Sequence, residues 1–307
     1  MEKPAAELSP PPCADLHLRQ RTKYFLMYAA GLLVCFGLPL LHLLRFSFDS
    51  ELYSHILLVP VISGYLIWMN RHKLNRAFEP APRLAAGLLL PGVALLAAYG
   101  AGVASGRHFA NENDPLSLFT LAFLFFFASG CAWFYGSRVM RSIAFPLGFL
   151  LFMVPLPLVL ENGLTEFLQY ASAEAAYWML TLSGMSVFRD GTAFTLPGIS
   201  IGVAPECSGI RSTVVLVMTG LLAAFFFLRR PWSKILLAAL LIPLGILRNA
   251  FRIFTLAQLA VHGHPDILNS DLHHRGGPVF FAVSLAPFFL LIWLLRKLEA
   301  RLENRTP

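Results

Sequence analysis

The stretch "PECSGIRSTVVLVMTGLLAAFFFLRR", residues 205–230, decides how this chain folds. After Arg211 it carries no charge until Arg229 and Arg230. An apolar run of about 20 residues crosses a hydrocarbon core of about 30 Å as a helix. The paired arginines at its end mark the inner side of a membrane. Its other end is unusual, with Pro, Glu, Cys, Ser, Gly and Arg crowded into the eight residues 205–212. That start poses the functional question. Cys207 is either a small apolar filler or a nucleophile held at a membrane surface.

The rest of the chain follows the same pattern. Of its 307 residues 57% are hydrophobic and 13% charged, about half the charged share of a soluble domain. Apolar runs at 24–44, 53–69, 84–104, 116–136, 141–156, 209–228, 235–257 and 277–296 predict spans. The expected fold is therefore all-α. It is a polytopic membrane helix bundle of about eight transmembrane helices, with one interfacial helix and a short extracytoplasmic hairpin. Residues 1–22 read as a disordered cytoplasmic tail, 23–297 as one transmembrane domain, and 298–307 as a second cytoplasmic tail. The gaps are too short for a soluble domain. The first run is too long for a signal-peptide core and reads as a retained span. Cys13, Cys35, Cys131 and Cys207 form no CxxC pair, so neither a disulfide framework nor a Cys-rich zinc site is indicated. No cofactor is expected.

Charge sets the orientation. Lys3, Arg19, Arg21 and Lys23 precede the first run, and Arg71, Lys73, Arg76 and Arg83 follow the second. Arg138 and Arg141 follow the fourth, Arg229, Arg230 and Lys234 separate 209–228 from 235–257, and Arg296, Lys297, Arg301 and Arg305 close the chain. With eight spans and both termini cytoplasmic, all of these fall inside. Acidic residues such as Asp49, Glu51, Glu112, Asp114 and Asp190 fall outside. The net charge of +7 thus follows from topology, and no nucleic-acid partner is implied. The expected location is the cell membrane. Residues 163–184 are apolar but interrupted by Glu166, Gln169, Ser172 and Glu174, which reads as an amphipathic helix at the outer interface. Residues 187–206 alternate weakly around Gly and Pro, which suggests a hairpin. Were 163–184 to span, the parity would reverse and Cys207 would lie inside.

On the eight-span topology, three polar groups converge on the outer side. Cys207 opens the span at 209–228. Arg252 lies about 27 Å along a helix from Lys234, just below the outer surface. His273 and His274 lie in the loop 258–276. Each has a bland reading. A membrane cysteine is usually packing, an arginine near a helix end usually snorkels to headgroups, and surface histidines often do nothing special. The neighbours favour the other reading. A helix start favours a thiolate. Arg211, four residues on, is expected on the same helix face, and Gly209 leaves room for a substrate backbone. Ser208 and Ser212 can cap or make polar contacts. "LRNAFRIF", 247–254, places Arg248, Asn249 and Arg252 within about one turn, and charges within spans tend to be functional. Glu206 beside the thiol would raise its pKa unless Arg211 or Arg252 neutralises it. The loop "VHGHPDILNSDLHH", 261–274, could bind zinc or copper, but its spacing fits no strong zinc pattern.

These motifs resemble the exosortase/archaeosortase family of membrane-embedded cysteine transpeptidases and proteases. "CSGIRS" at 207–212 resembles its nucleophile motif, "RNAFRI" at 248–253 its Asn-x-x-Arg motif, and "HHRGGPVFF" at 273–281 its His-x-x-x-Gly-x-x-x-Phe block. Two supporting stretches are also similar, "YSHILLVPVISGYLIWMNR" at 53–71 and "FPLGFLLFMVPLP" at 145–157. The resemblance implies Cys207 as nucleophile, Arg252 as the essential arginine, and His273 or its neighbour His274 as the histidine. It implies that the C-terminal sorting signal of an exported protein is cleaved through a thioester on Cys207. Such a signal is a short motif, a membrane helix and a basic tail, and the acyl group then passes to water or to a glycolipid or lipid acceptor. Two other classes compete. A transporter or polysaccharide-export component would place ionisable groups or broken helices near the midplane. Pro60 and Pro243 could break helices, but polar groups do not gather there. A metal-dependent membrane hydrolase would use the His/Asp loop, and would lose activity to a chelator but not to a thiol alkylator.

Overall fold

The computed structural model describes residues 12–71, 79–106, 111–262 and 277–303, with side chains from residue 20 and without that of Glu206. The chain divides into two compact units, Met1–Leu158 and Val159–Pro307. Among the described residues the regular secondary structure is helical apart from one small sheet.

In the first unit, α1 (Pro12–Cys35) and α2 (Gly37–Asp49) replace the straight span expected at 24–44. They meet at an angle of 69°. Pro39 explains the break, because its ring would collide with the carbonyl of Cys35 in a continuous helix. α1 extends back to Pro12, within the stretch expected as a tail, and residues 1–11 lie outside the described residues. A 3-10 turn (Ser54–Leu57) leads into α3 (Leu58–Met69). At about 18 Å, α3 is too short to cross the hydrocarbon core alone. α4 (Pro82–Ala104) and α5 (Asn113–Ser142) form a long hairpin. Ser129 Oγ donates to Ala85 O at 2.8 Å across it. α1 packs on α5 through rings, with the Phe25 and Tyr135 centroids 5.0 Å apart, and Tyr28 Oη donates to Phe126 O at 2.9 Å. The run expected at 141–156 is broken up. α6 (Ala144–Phe149) passes into a 3-10 turn (Leu150–Met153), and Pro155 and Pro157 stop any continuation. The two supporting family stretches meet here, where Leu156 N–H donates to Tyr53 Oη at 3.1 Å.

In the second unit, α7 (Leu158–Leu182) precedes a three-stranded antiparallel sheet in the order β1-β2-β3. The strands are β1 (Phe188–Asp190), β2 (Ala193–Leu196) and β3 (Ile199–Gly202). The expected hairpin is present, with one strand more. Its turns hold Gly191 and Gly198 at φ +59° and +80°, backbone that glycine adopts without a steric cost. Phe194 and Leu196 turn inward against Ala173, Ala176 and Leu180 of α7. The polar residues of α7 are partly consumed by the sheet region. Gln169 donates to Val203 O, and Glu174 pairs with Arg189 and accepts from Trp178.

A 3-10 turn (Pro205–Cys207) then leads to α8 (Ile210–Phe227), α9 (Pro231–Val261) and α10 (Gly277–Glu303). The last helix runs on to Glu303, into the stretch expected as a tail. α9 runs through Pro243 without a break in helical assignment. α8 and α9 approach closely at Gly220, where a Cβ would lie 2.3 Å from Leu241 Cδ1. Leu216, Leu237, Leu241, Phe288 and Ile292 form the core that joins α8, α9 and α10.

Five helices, α4, α5, α8, α9 and α10, are long and apolar enough to cross a membrane. The count rises to seven if two broken pairs, α1 with α2 and Ala144–Met153 with α7, each make one span. This describes a polytopic membrane protein, with five to seven such spans among the described residues where eight were expected, and one shorter apolar helix, Ser54–Met69, besides. α7, which covers the stretch 163–184, belongs to one of those bent pairs.

Candidate active site

The site is built where the chain leaves β3 and enters α8. Gly209 sits at φ +81°, left-handed backbone that other L-residues adopt at a cost. It caps α8 and turns the chain sharply. The Thr213 N–H bonds to Gly209 O at 2.9 Å and starts the helix. Cys207 is therefore in the preceding 3-10 turn, its N–H bonded to Ala204 O at 2.8 Å. This corrects one expectation. Cys207 and Arg211 are not helical i,i+4 neighbours, because the left-handed Gly209 lies between them. Arg211 is exposed.

Asn249, on α9, holds this turn. Its side chain is 2% exposed, and Nδ2 donates to Cys207 O at 2.9 Å and to Ser208 O at 3.1 Å. The fit is tight, for a Cβ on Gly209 would lie 2.8 Å from Asn249 Cγ. Glycine is thus required at 209 for both its conformation and its size. Ser208 is buried, and its Oγ accepts from Ile210 N–H at 3.4 Å. Arg248 is also buried. It donates to Ser212 Oγ and, at 3.4 Å, to Gly209 O. Its Nη1 has no hydrogen-bond partner among the described residues. Arg248 therefore braces the α8 start, while Arg252, one turn on, borders the thiol's cavity.

That cavity, about 30 Å³ in volume, is lined by Cys207, Asn249 and Arg252 together with Ile201, Gly202 and Val203 of the sheet side. Ile253 and Leu256 complete an apolar wall. The recess has room for at least one water molecule. A thiol, an amide and a guanidinium thus share one small, largely apolar recess, where charge interactions are stronger than in bulk water. His273 and His274 lie outside the described residues, as does the Glu206 side chain. The lining from 201–203 was not anticipated. Nor was Gln169, which fixes Val203 from α7; its only sequence signal was a polar residue in an otherwise apolar run.

A polytopic membrane helix bundle with a cysteine–arginine recess defines the class. The chain matches the transmembrane exosortase family over residues 46–290. It belongs to that family. No curated protein and no solved structure matches it.

Proposed function

We propose that this protein is a membrane-embedded cysteine protease or transpeptidase that cleaves the C-terminal sorting signal of exported proteins. The observation that carries the reading is the shared recess of Cys207, Asn249 and Arg252, built from two of the motifs that resemble the family's own.

The Cys207 thiolate attacks the scissile carbonyl carbon, giving a tetrahedral oxyanion. Arg252 offers its guanidinium to that oxygen, an interaction of the kind often worth about 3–4 kcal/mol per donor. The C–N bond then breaks, and His273, the family's histidine by resemblance, gives the leaving amine its proton. The product is a thioester, which divides one difficult acyl transfer into two easier steps. Water or the amine of a glycolipid or lipid acceptor attacks the thioester and restores the thiolate. Asn249 acts through the main chain, fixing the carbonyls of Cys207 and Ser208. On this reading the short apolar helix Ser54–Met69 adds an eighth crossing to the seven, so the recess faces the outer side of the cell membrane and both termini lie inside. A substrate helix lodged in the bilayer then delivers its outer end to the thiol, and its basic tail stays inside and fixes the depth.

The test uses a tagged exported protein from the same cell that ends in a membrane helix and a basic tail. Cys207→Ala in the native membrane abolishes its processing, followed by mass spectrometry of the new C-terminus. Undiminished processing in that variant overturns the proposal.

A further inference from the structure

The small sheet leaves one edge open beside the Cys207 recess. The registers fix which backbone groups face that edge. Val203 N–H donates to Thr192 O at 3.0 Å, a bond in register with the pairs Phe194↔Ile201 and Leu196↔Ile199. Hydrogen-bonded and non-bonded pairs alternate along an antiparallel ladder. Ile199, Ile201 and Val203 therefore turn their backbone groups toward β2, while Ser200 and Gly202 turn theirs outward. Both outward residues are exposed. Among the described residues, no backbone hydrogen bond reaches either from outside the sheet. A Cβ built on Gly202 meets nothing within 4 Å, so the sheet face at Gly202 is open as well. Gly202 also lines the same recess as Cys207 and Arg252.

We infer that the free edge of β3 binds the substrate as an added strand. An unpaired edge is a ready template for another chain, and the occupant that satisfies it is an extended peptide, through main-chain bonds to Ser200 and Gly202. Continuity with the recess identifies that peptide as the segment carrying the scissile bond. Paired with β3, its backbone runs past Gly202 and brings the reacting carbonyl to Cys207. The inference rests on the thiol mechanism proposed above and adds what that mechanism lacks, a means of holding the peptide. It also requires the substrate to be extended at the cleavage point, between its exported part and its membrane helix.

Gly202→Pro removes the outward N–H and puts ring carbons where the added strand would lie. Proline is tolerated at such outward positions on edge strands. The expected result is processing of the tagged substrate slowed about tenfold or more, with Cys207 still alkylated by iodoacetamide at the wild-type rate. Wild-type processing in Gly202→Pro, alongside an inactive Cys207→Ala, overturns the edge inference and leaves the thiol mechanism standing. Undiminished processing in Cys207→Ala removes the mechanism itself. If Gly202→Pro does not accumulate, a crosslinking scan decides. Ser200→Cys is made in a chain whose own cysteines are alanine, and single cysteines are walked through the substrate segment before its membrane helix. Disulfides at alternate substrate positions support an added strand. No disulfide, or a spacing of three to four, overturns it.

Discussion

Asn249 holds two consecutive carbonyls, those of Cys207 and its buried neighbour Ser208. Gly209 leaves just enough room for it. The two residues act as one device, and a single methyl group separates a formed site from a displaced one. Gly209→Ala forces left-handed backbone on a residue with a Cβ, costing about 1–2 kcal/mol, and drives that Cβ into Asn249. The expected outcome is a lower thermal unfolding midpoint in detergent and a changed rate of Cys207 alkylation. An unchanged midpoint and rate would contradict this account of the turn. At this scale the sequence was informative about chemistry and less so about placement. Cys207, Asn249 and Arg252 were legible because each sits in a short polar motif within an apolar run. The separation of Arg248 from Arg252 was not, since both share a helix face by spacing, and only the packing of α8 sends one to Ser212 and the other to the recess. Arg211 was misplaced because a left-handed glycine interrupts the helical count.

The elements depend on their ends. α9 begins at Pro231 with Arg230 as its cap residue, and the two amides just ahead of the helix meet a carboxylate from α10. Glu299 is 5% exposed. It accepts from Arg229 N–H at 3.2 Å, from Arg230 N–H at 2.8 Å, and from Ser233 Oγ. A carboxylate at a helix N-terminus is favoured by the helix dipole, and hydrogen bonds to a charged group contribute about 1.5–3 kcal/mol. Glu299→Ala should therefore lower the unfolding midpoint in detergent. The recess lies about 28 Å along α9 from Arg230, so below that midpoint Cys207 alkylation should stay at the wild-type rate. A wild-type midpoint would show that the cap is not holding α9. The sequence predicts α4, α5, α8, α9 and α10 well because apolar length alone decides them. It misses the break between α1 and α2 and the fragmenting of 141–156. In both cases prolines interrupt a run whose hydrophobicity does not change.

At the scale of the whole molecule, the charge pattern and the helix count must agree on sides. Arg211 lies four residues beyond Cys207 in sequence and is exposed, and Glu303 ends the last described helix. In a chain with its four cysteines replaced by alanine, an impermeant maleimide should label Arg211→Cys in intact cells. Glu303→Cys should be labelled only after permeabilisation. The reverse pattern would place the recess inside. Membrane character and orientation signals were readable from composition and from the positions of Lys and Arg. The division into two units was not, because it depends on which helices pack together. The central claim is covalent chemistry at one sulfur atom. Its most direct measurement is a rapid quench of the wild-type membrane during processing of the tagged substrate. The account predicts a substrate–enzyme adduct, cleaved by hydroxylamine and mapped by peptide mass to Cys207, and absent in Cys207→Ala. Continued processing with no such adduct, or an adduct mapped to another residue, would contradict it.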